Sequence, residues 1–350
     1  MRPVFAPRQS ILLRLAFCLI GLALTLASAR ADLVWDAKTG WQLEGGALTG
    51  VGGPAAKNAL DLMNKARTSE EKGNRKSAIS SYQSVAKKYS NSVYAPEALY
   101  RSAKLRIAGK DYTKAFDDFQ QLVSRYPNTR RFNEVIGEQY RIASLLLDGA
   151  RGRMLWGMLP GFTQRDKAIE FFEIVLANAP YGDYAPLALM NVARGHNRLG
   201  NVPEAADALD RMINNYSQTL LAPDAYLRLA QTHASLVDGP YYDQGATKEA
   251  ITYFTDFMLL FPVDQNIGVA ETGLDGMKTM LAESKMKMAD FYFYKRNNFR
   301  AARVFYNEAI TAYPESAVSL KAKSRLAEME AKISGAATSD TTRKKRFFFF

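Results

Sequence analysis

The sequence predicts an all-α chain, a right-handed superhelical solenoid of about six helical hairpins, and three observations predict it. The first is internal repetition. Ala78, Ala115, Ala168, Ala205, Ala250 and Ala302 are each followed four residues later by a large apolar side chain, in order Tyr82, Phe119, Phe172, Leu209, Phe254 and Tyr306. The second is punctuation: twelve residues after each marker alanine stands Ser90, Pro127, Pro180, Ser217, Pro262 or Pro314. The third is a common restart, in which Tyr94-Ala95-Pro96, Tyr184-Ala185-Pro186 and Leu221-Ala222-Pro223 each place a proline six residues after the stop.

Residues four apart share one face of a helix, so a small alanine admits a neighbouring helix while the large residue fills the space beside it. Proline or serine twelve residues on ends that helix, and proline in the first turn of the next costs no hydrogen bond. A partner helix precedes each marker. It is clearest in the fourth unit, where Ala193, Gly200 and Ala205 fall at the small-residue positions of a tetratricopeptide-type hairpin.

The marker spacings of 37, 53, 37, 45 and 52 residues imply a local unit of 37 with three insertions. The first lies at 149–164 and carries Met154-Leu155-Trp156-Gly157-Met158-Leu159-Pro160-Gly161-Phe162; the second covers 237–247 with Gly239-Pro240-Tyr241-Tyr242; the third includes 263–276. Ahead of the repeats, residues 32–56 read as an ordered-then-flexible leader or linker with Trp35, Trp41 and a glycine-rich run. The repeats occupy 57–334, closed by a capping helix over 318–333. Residues 335–350 read as a disordered basic and aromatic tail.

The amino terminus reads as an address. Arg2, Arg8 and Arg14 precede an apolar stretch over 15–27, followed by Ala29-Arg30-Ala31, which predicts a signal peptide cleaved after Ala31. The 13-residue run is shorter than the roughly 20 residues a membrane-spanning helix needs. Cys18, the only cysteine, follows Phe17 rather than a small residue, so lipidation is not expected. The formal charge of +11 includes four arginines in residues 1–31 and four basic residues in Arg343-Lys344-Lys345-Arg346, leaving a body of +3. Nucleic acid is therefore not an expected partner.

No metal, nucleotide or other cofactor is expected. His196 and His233 stand 37 apart, one repeat position used twice, without the additional ligands at helical spacing that a zinc site uses. There is no Gly-x-Ser-x-Gly elbow, and the glycine-rich leader lacks the Gly-Lys-Ser/Thr of a phosphate loop. No catalytic residue is assigned and the chain is not expected to be an enzyme.

The candidate chemistry is recognition of protein. Eleven residues before the first two markers stand Arg67 and Lys104; adding 37 gives Arg141, and the fourth unit, allowing for the insertion, gives Arg194, so that a column forms on the first helices until Gln231 breaks it in the fifth. Such a column would draw an acidic segment or a terminal carboxylate, with Met63, Tyr100 and Met190 gripping apolar side chains; a solvated charged stripe is the plainer reading. The loop around Trp156 and Leu159 is a second candidate, either tucked against the repeats or offered to a partner. The tail from Arg343 to Phe350 has the chemistry to touch an anionic membrane surface, or is an end without a role.

Tyr112-Thr113-Lys114-Ala115-Phe116-Asp117-Asp118-Phe119, Arg125-Tyr126-Pro127-Asn128-Thr129 and Tyr184-Ala185-Pro186-Leu187-Ala188 resemble the BamD-like tetratricopeptide proteins of bacterial envelopes, over about residues 57–315. The resemblance implies a periplasmic scaffold at the inner face of the outer membrane, working with a BamA-like barrel protein to receive unfolded outer-membrane proteins. This chain differs in having six units and no lipobox. A CpoB-like organiser of cell-wall synthesis is the alternative, although no sustained heptads appear over 32–57. A solenoid enzyme resembling some lytic transglycosylases would need a catalytic domain for which the repeats leave no room.

Overall fold

The computed structural model describes residues 32–36, 38–44, 54–151, 153–154, 159–160 and 162–347. The predicted signal peptide and Trp156 lie outside them; of Leu159 only the backbone is described. The chain divides into two compact units, at Gln164/Arg165. The first begins with an antiparallel hairpin, β1 (Asp32–Asp36) and β2 (Gly40–Glu44), pairing Trp35 with Trp41. Helices α1 (Pro54–Glu71), α2 (Arg75–Lys88), α3 (Ala95–Ala108), α4 (Tyr112–Arg125) and α5 (Phe132–Leu147) follow, then a two-residue ladder of β3 (Arg153–Met154) with β4 (Leu159–Pro160).

The second unit runs α6 (Arg165–Asn178), α7 (Tyr184–Leu199), α8 (Val202–Tyr216), α9 (Ala222–Ser235), α10 (Gly245–Leu260) and α11 (Ile267–Asp290). A π-helical turn over Phe291–Lys295, α12 (Phe299–Ala312) and α13 (Ala317–Phe347) complete it. The fold is all-α in the tetratricopeptide manner, each unit stacking helices in antiparallel pairs.

The repeat signature is the packing rule of both units. All six marker alanines are fully inaccessible, and each partner four residues on, from Tyr82 to Tyr306, is at most 2% exposed. Each marker helix, α2, α4, α6, α8, α10 and α12, ends just before its Ser or Pro stop. Pro96, Pro203 and Pro223 occupy first turns of α3, α8 and α9. Asn74 and Asn298 cap α2 and α12, accepting from the Ser77 and Ala301 amides at 3.2 and 3.1 Å. Gly200 ends α7 at φ +81°, letting the Asn201 amide close on the His196 carbonyl at 2.9 Å. Within each unit one tyrosine fixes the stagger of successive hairpins: Tyr126 donates to the Ser90 carbonyl, and Tyr216 to the Pro180 carbonyl, both 36 residues back.

The ordered part of the leader is the hairpin, and α1 starts at Pro54, ahead of the expected 57. Two expectations are corrected. The third insertion is not a loop: residues 267–276 open α11, which at 24 residues is the longest of the helices between the two insertions and the cap. One end of α11 (Ala270, Leu274) packs with Ala250, Phe254 and Phe257 of α10; the other (Met286, Ala289) packs with Phe293, Ala302, Tyr306 and Met329. A single helix therefore serves two successive cores. Finally, the helix after the last stop does not end at Ile333 but continues through Phe347, where disorder was expected.

Gly273 marks the closest approach in this arrangement. A Cβ there would stand 2.4 Å from Cζ of Phe254, a ring 2% exposed with no free space to retreat into. Gly273→Ala is expected to destabilise the protein by about 1–3 kcal/mol through overpacking. Gly276, with nothing within 4 Å, should accept alanine with no loss. Urea midpoints of the two variants measure the difference.

Candidate functional site

The first helices of unit 1, α1, α3 and α5, lie side by side and carry a ladder of charged and aromatic groups. On α1, Arg67 pairs with Glu70 (3.3 Å) and Glu71 (3.1 Å). On α3, Arg101 pairs with Glu97 (2.8 Å) and reaches Glu70 at 3.9 Å. Arg131, at the start of α5, pairs with Glu134 (3.0 Å) and Glu97 (3.3 Å). Lys104 meets Glu138 at 2.8 Å, and Arg141 donates to the same carboxylate at 3.0 Å.

Aromatic groups are threaded through this ladder. Tyr100 donates to Glu134 while the Arg131 guanidinium lies 4.4 Å from its ring centroid. Tyr82, whose ring fills the core, sends its hydroxyl to Glu70 at 2.8 Å. Burial first, and the adjacent glutamate second, push both phenols well above their ordinary range, so they remain donors at any physiological pH. The hairpin lies against this row of helices: Arg67 sits over Trp35 (5.1 Å) and Arg101 over Trp41 (5.3 Å).

The structure brings part of the predicted column together and compensates its charge. Lys104 and Arg141 are brought together, with Tyr100 one turn from Lys104, and Arg67 lies on the same row of helices. All three cations are compensated. Arg67, Arg101, Lys104, Arg131 and Arg141 face Glu70, Glu71, Glu97, Glu134 and Glu138, five against five. The column has no excess charge with which to draw an acidic segment. Met190 and Arg194 lie on α7 of unit 2, both half-buried. The rest of the ladder was missed because the column was counted at 37 residues, whereas the hydrogen bonds between α3 and α5 join residues 34 apart, Tyr100 to Glu134 and Lys104 to Glu138. At that offset Arg67 projects onto Arg101 and Lys104 onto Glu138.

Glu138 gives the ladder a pH signature. Burial works to raise its carboxyl, but hydrogen bonds from Lys104 and Arg141 outweigh burial and hold it below its ordinary 4.5. A depressed carboxyl contributes stability that is complete above the unfolded value and is lost as pH falls through the folded one. Wild type should therefore lose stability below about pH 4.5 more steeply than Glu138→Gln, measured by urea unfolding between pH 3 and 7.

In unit 2 an open pocket of 340 Å³ is lined by Glu173, His196, Glu204, Asp207 and Arg211, and Arg211 meets Glu173 at 2.8 and 2.9 Å. His233, one repeat after His196, stacks on Tyr253 at 5.3 Å with Nδ1 2.8 Å from Glu249.

Comparison with known proteins is informative for the same two units. In unit 1 the profile of the tetratricopeptide repeat matches residues 62–92 and 97–129, the spans of α1–α2 and α3–α4. The profile of YfiO, outer membrane lipoprotein, matches residues 163–345, more than half of the chain and nearly the whole of unit 2. The chain belongs to the YfiO family. Among its curated relatives is the outer membrane protein assembly factor BamD of Xylella fastidiosa (strain 9a5c), 22% identical over an alignment of 183 residues that covers 49% of this chain and 62% of that protein. The chain thus spans less than two thirds of that relative's length. Similar solved structures include MamA 41-end from Desulfovibrio magneticus RS-1 (17% identity, 61% of this chain and 98% of that one, TM-score 0.30). A tetratricopeptide repeat protein from Parabacteroides merdae ATCC 43184 is also similar (14% identity, 78% and 99%, TM-score 0.30). The chain is thus a YfiO-family protein with tetratricopeptide repeats matched in unit 1. Among the described residues no helix is long and apolar enough to cross a membrane.

Proposed function

We propose that the protein is a non-enzymatic periplasmic scaffold of outer-membrane β-barrel assembly, receiving unfolded or carboxyl-terminal segments on the first-helix rows and handing them to a BamA-like barrel protein. The family match over residues 163–345 carries this reading, and the assembly-factor name of the Xylella fastidiosa relative supports it. In this reading the protein works at the inner face of the outer membrane after cleavage behind Ala31. In the same reading, with Cys18 inside the leader, it is held there by partners or by its basic and aromatic tail.

Recognition in unit 1 proceeds by exchange. A segment carrying a carboxylate binds at Lys104 and Arg141 by replacing Glu138, which keeps both cations hydrogen-bonded throughout and costs little desolvation. Tyr100 and Arg67 flank that position, and Met190 with Arg194 offer the equivalent contact on unit 2. Trp156 and Leu159 of the first insertion are proposed as an accessory contact. Depletion of the protein from growing cells is the test: the reading expects outer-membrane barrel proteins to fall and unfolded ones to accumulate in the periplasm. Unchanged barrel levels alongside defective cell constriction would sink it in favour of the cell-wall role.

A further inference from the structure

The β1–β2 hairpin occupies the surface on which a partner segment would lie. Its tryptophans do not close the end of the stack between α1 and α2; they bridge α1 and α3, two first helices of successive hairpins. Trp41 shares a buried cluster with Met63, Ala59 and Ala66 of α1, against which Trp35, Leu33 and Leu105 of α3 also pack. The Trp41 amide donates to Oδ1 of Asn64 at 3.1 Å, and Arg67 and Arg101 each cover one indole. The two rings meet at 5.4 Å as a cross-strand pair.

Two observations mark this as a seat that can be vacated. The first is that Trp41, only 3% exposed, has a buried Nε1 that finds no hydrogen-bond partner among the described residues, an unmade bond that works against the docked state. The second is size: five-residue strands in a two-stranded sheet are marginal alone and owe their order to the face beneath them. Nine residues, 45–53, join the hairpin to α1, so it is present at its seat at an effective concentration of about millimolar.

We propose that the hairpin is an intramolecular occupant of this face, standing in for an extended, aromatic-bearing segment of a partner protein, which binds unit 1 only by displacing it. The proposal rests on the reading above that the first-helix rows take protein segments. It adds the ligand chemistry, an indole or other aromatic ring pair seated on Met63 and clamped by Arg67 and Arg101, and it adds the competitor.

The probe is a fluorescently tagged synthetic peptide with the sequence of residues 32–44, titrated by anisotropy against the full chain. The Trp35→Ala/Trp41→Ala variant is expected to bind it at least about tenfold more tightly than wild type, whose seat is filled. Equal affinities, or no binding by a variant whose circular dichroism remains helical, would overturn the proposal. If that variant loses its helices, a Gly40→Cys/Asn64→Cys lock in a Cys18→Ser background decides the matter. Reduced chain should exchange its hairpin for the peptide and oxidised chain should not, whereas indifference to oxidation makes the hairpin a fixed cap and ends the idea. No barrel partner takes part in either titration, so failure here leaves the assembly role standing, and failure of the depletion experiment leaves these titrations meaningful.

Discussion

Phe119→Ala is expected to destabilise the protein by about 3–5 kcal/mol, the loss typical of a buried aromatic removed from a core that relaxes only in part. Phe119 is fully inaccessible, lies four residues after the marker Ala115, and meets Tyr100 at a centroid distance of 6.0 Å. It therefore supports two things at once, the contact between α3 and α4 and the orientation of a tyrosine in the charged ladder. Leu320→Ala, at a position 65% exposed, should stay within about 0.5 kcal/mol of wild type. Urea unfolding followed at 222 nm measures both. A loss below about 1 kcal/mol for Phe119→Ala would mean that the repeated alanine and aromatic pair does not define the core.

Asp118→Ala should cost nearly as much for a different reason. The Asp118 carboxylate accepts from Ser102 Oγ at 2.6 Å and Arg106 Nε at 2.7 Å, and Ser102 in turn accepts from Gln83 at 2.9 Å. One chain of polar contacts thus crosses α2, α3 and α4 under the surface. Burial raises the Asp118 carboxyl above its ordinary value, with Ser102 and Arg106 pulling the other way. Among the described residues, removing the carboxylate leaves the largely buried Arg106 guanidinium with Asp111 alone, at 3.4 Å, and breaking such a pair costs about 3–5 kcal/mol. Asp118→Asn keeps acceptors for both donors and should recover a good part of the loss. Because the pair is shielded, the difference between the two variants should change little between low and high salt, whereas a surface pair would be screened.

The repeats were legible in the sequence because their physics is local. A small residue, a large one four later and a stop twelve later are constraints within one helix, and all six instances sit where that logic puts them. Ala205 with Leu209 is as well buried as Ala115 with Phe119, although the larger residue changes. The charged ladder was only half legible. Arg67 with Glu70 and Glu71, and Arg141 with Glu138, pair within one helix, but joining Lys104 to Glu138 and Tyr100 to Glu134 requires the offset between hairpins rather than the spacing within one. The same limit hid Asp118, which reads as a surface acid in the helix of its own residues and becomes buried only when α3 lies across it.

Long-range placement was the least legible. Trp35 and Trp41 announced an ordered element, yet nothing near them in sequence names Asn64 or Arg101 as what they rest on. The third insertion misled because 15 extra residues look alike whether they form a loop or extend a helix. Gly273 and Gly276 favour the loop by propensity, and the ring of Phe254 overrides them by requiring a glycine inside α11.

Affinity capture of the tagged protein from envelope extracts, with the recovered proteins identified by mass spectrometry, tests the central claim most directly. The account predicts a BamA-like barrel protein together with unfolded outer-membrane proteins. Recovery of cell-wall synthases without any barrel-assembly component would contradict it.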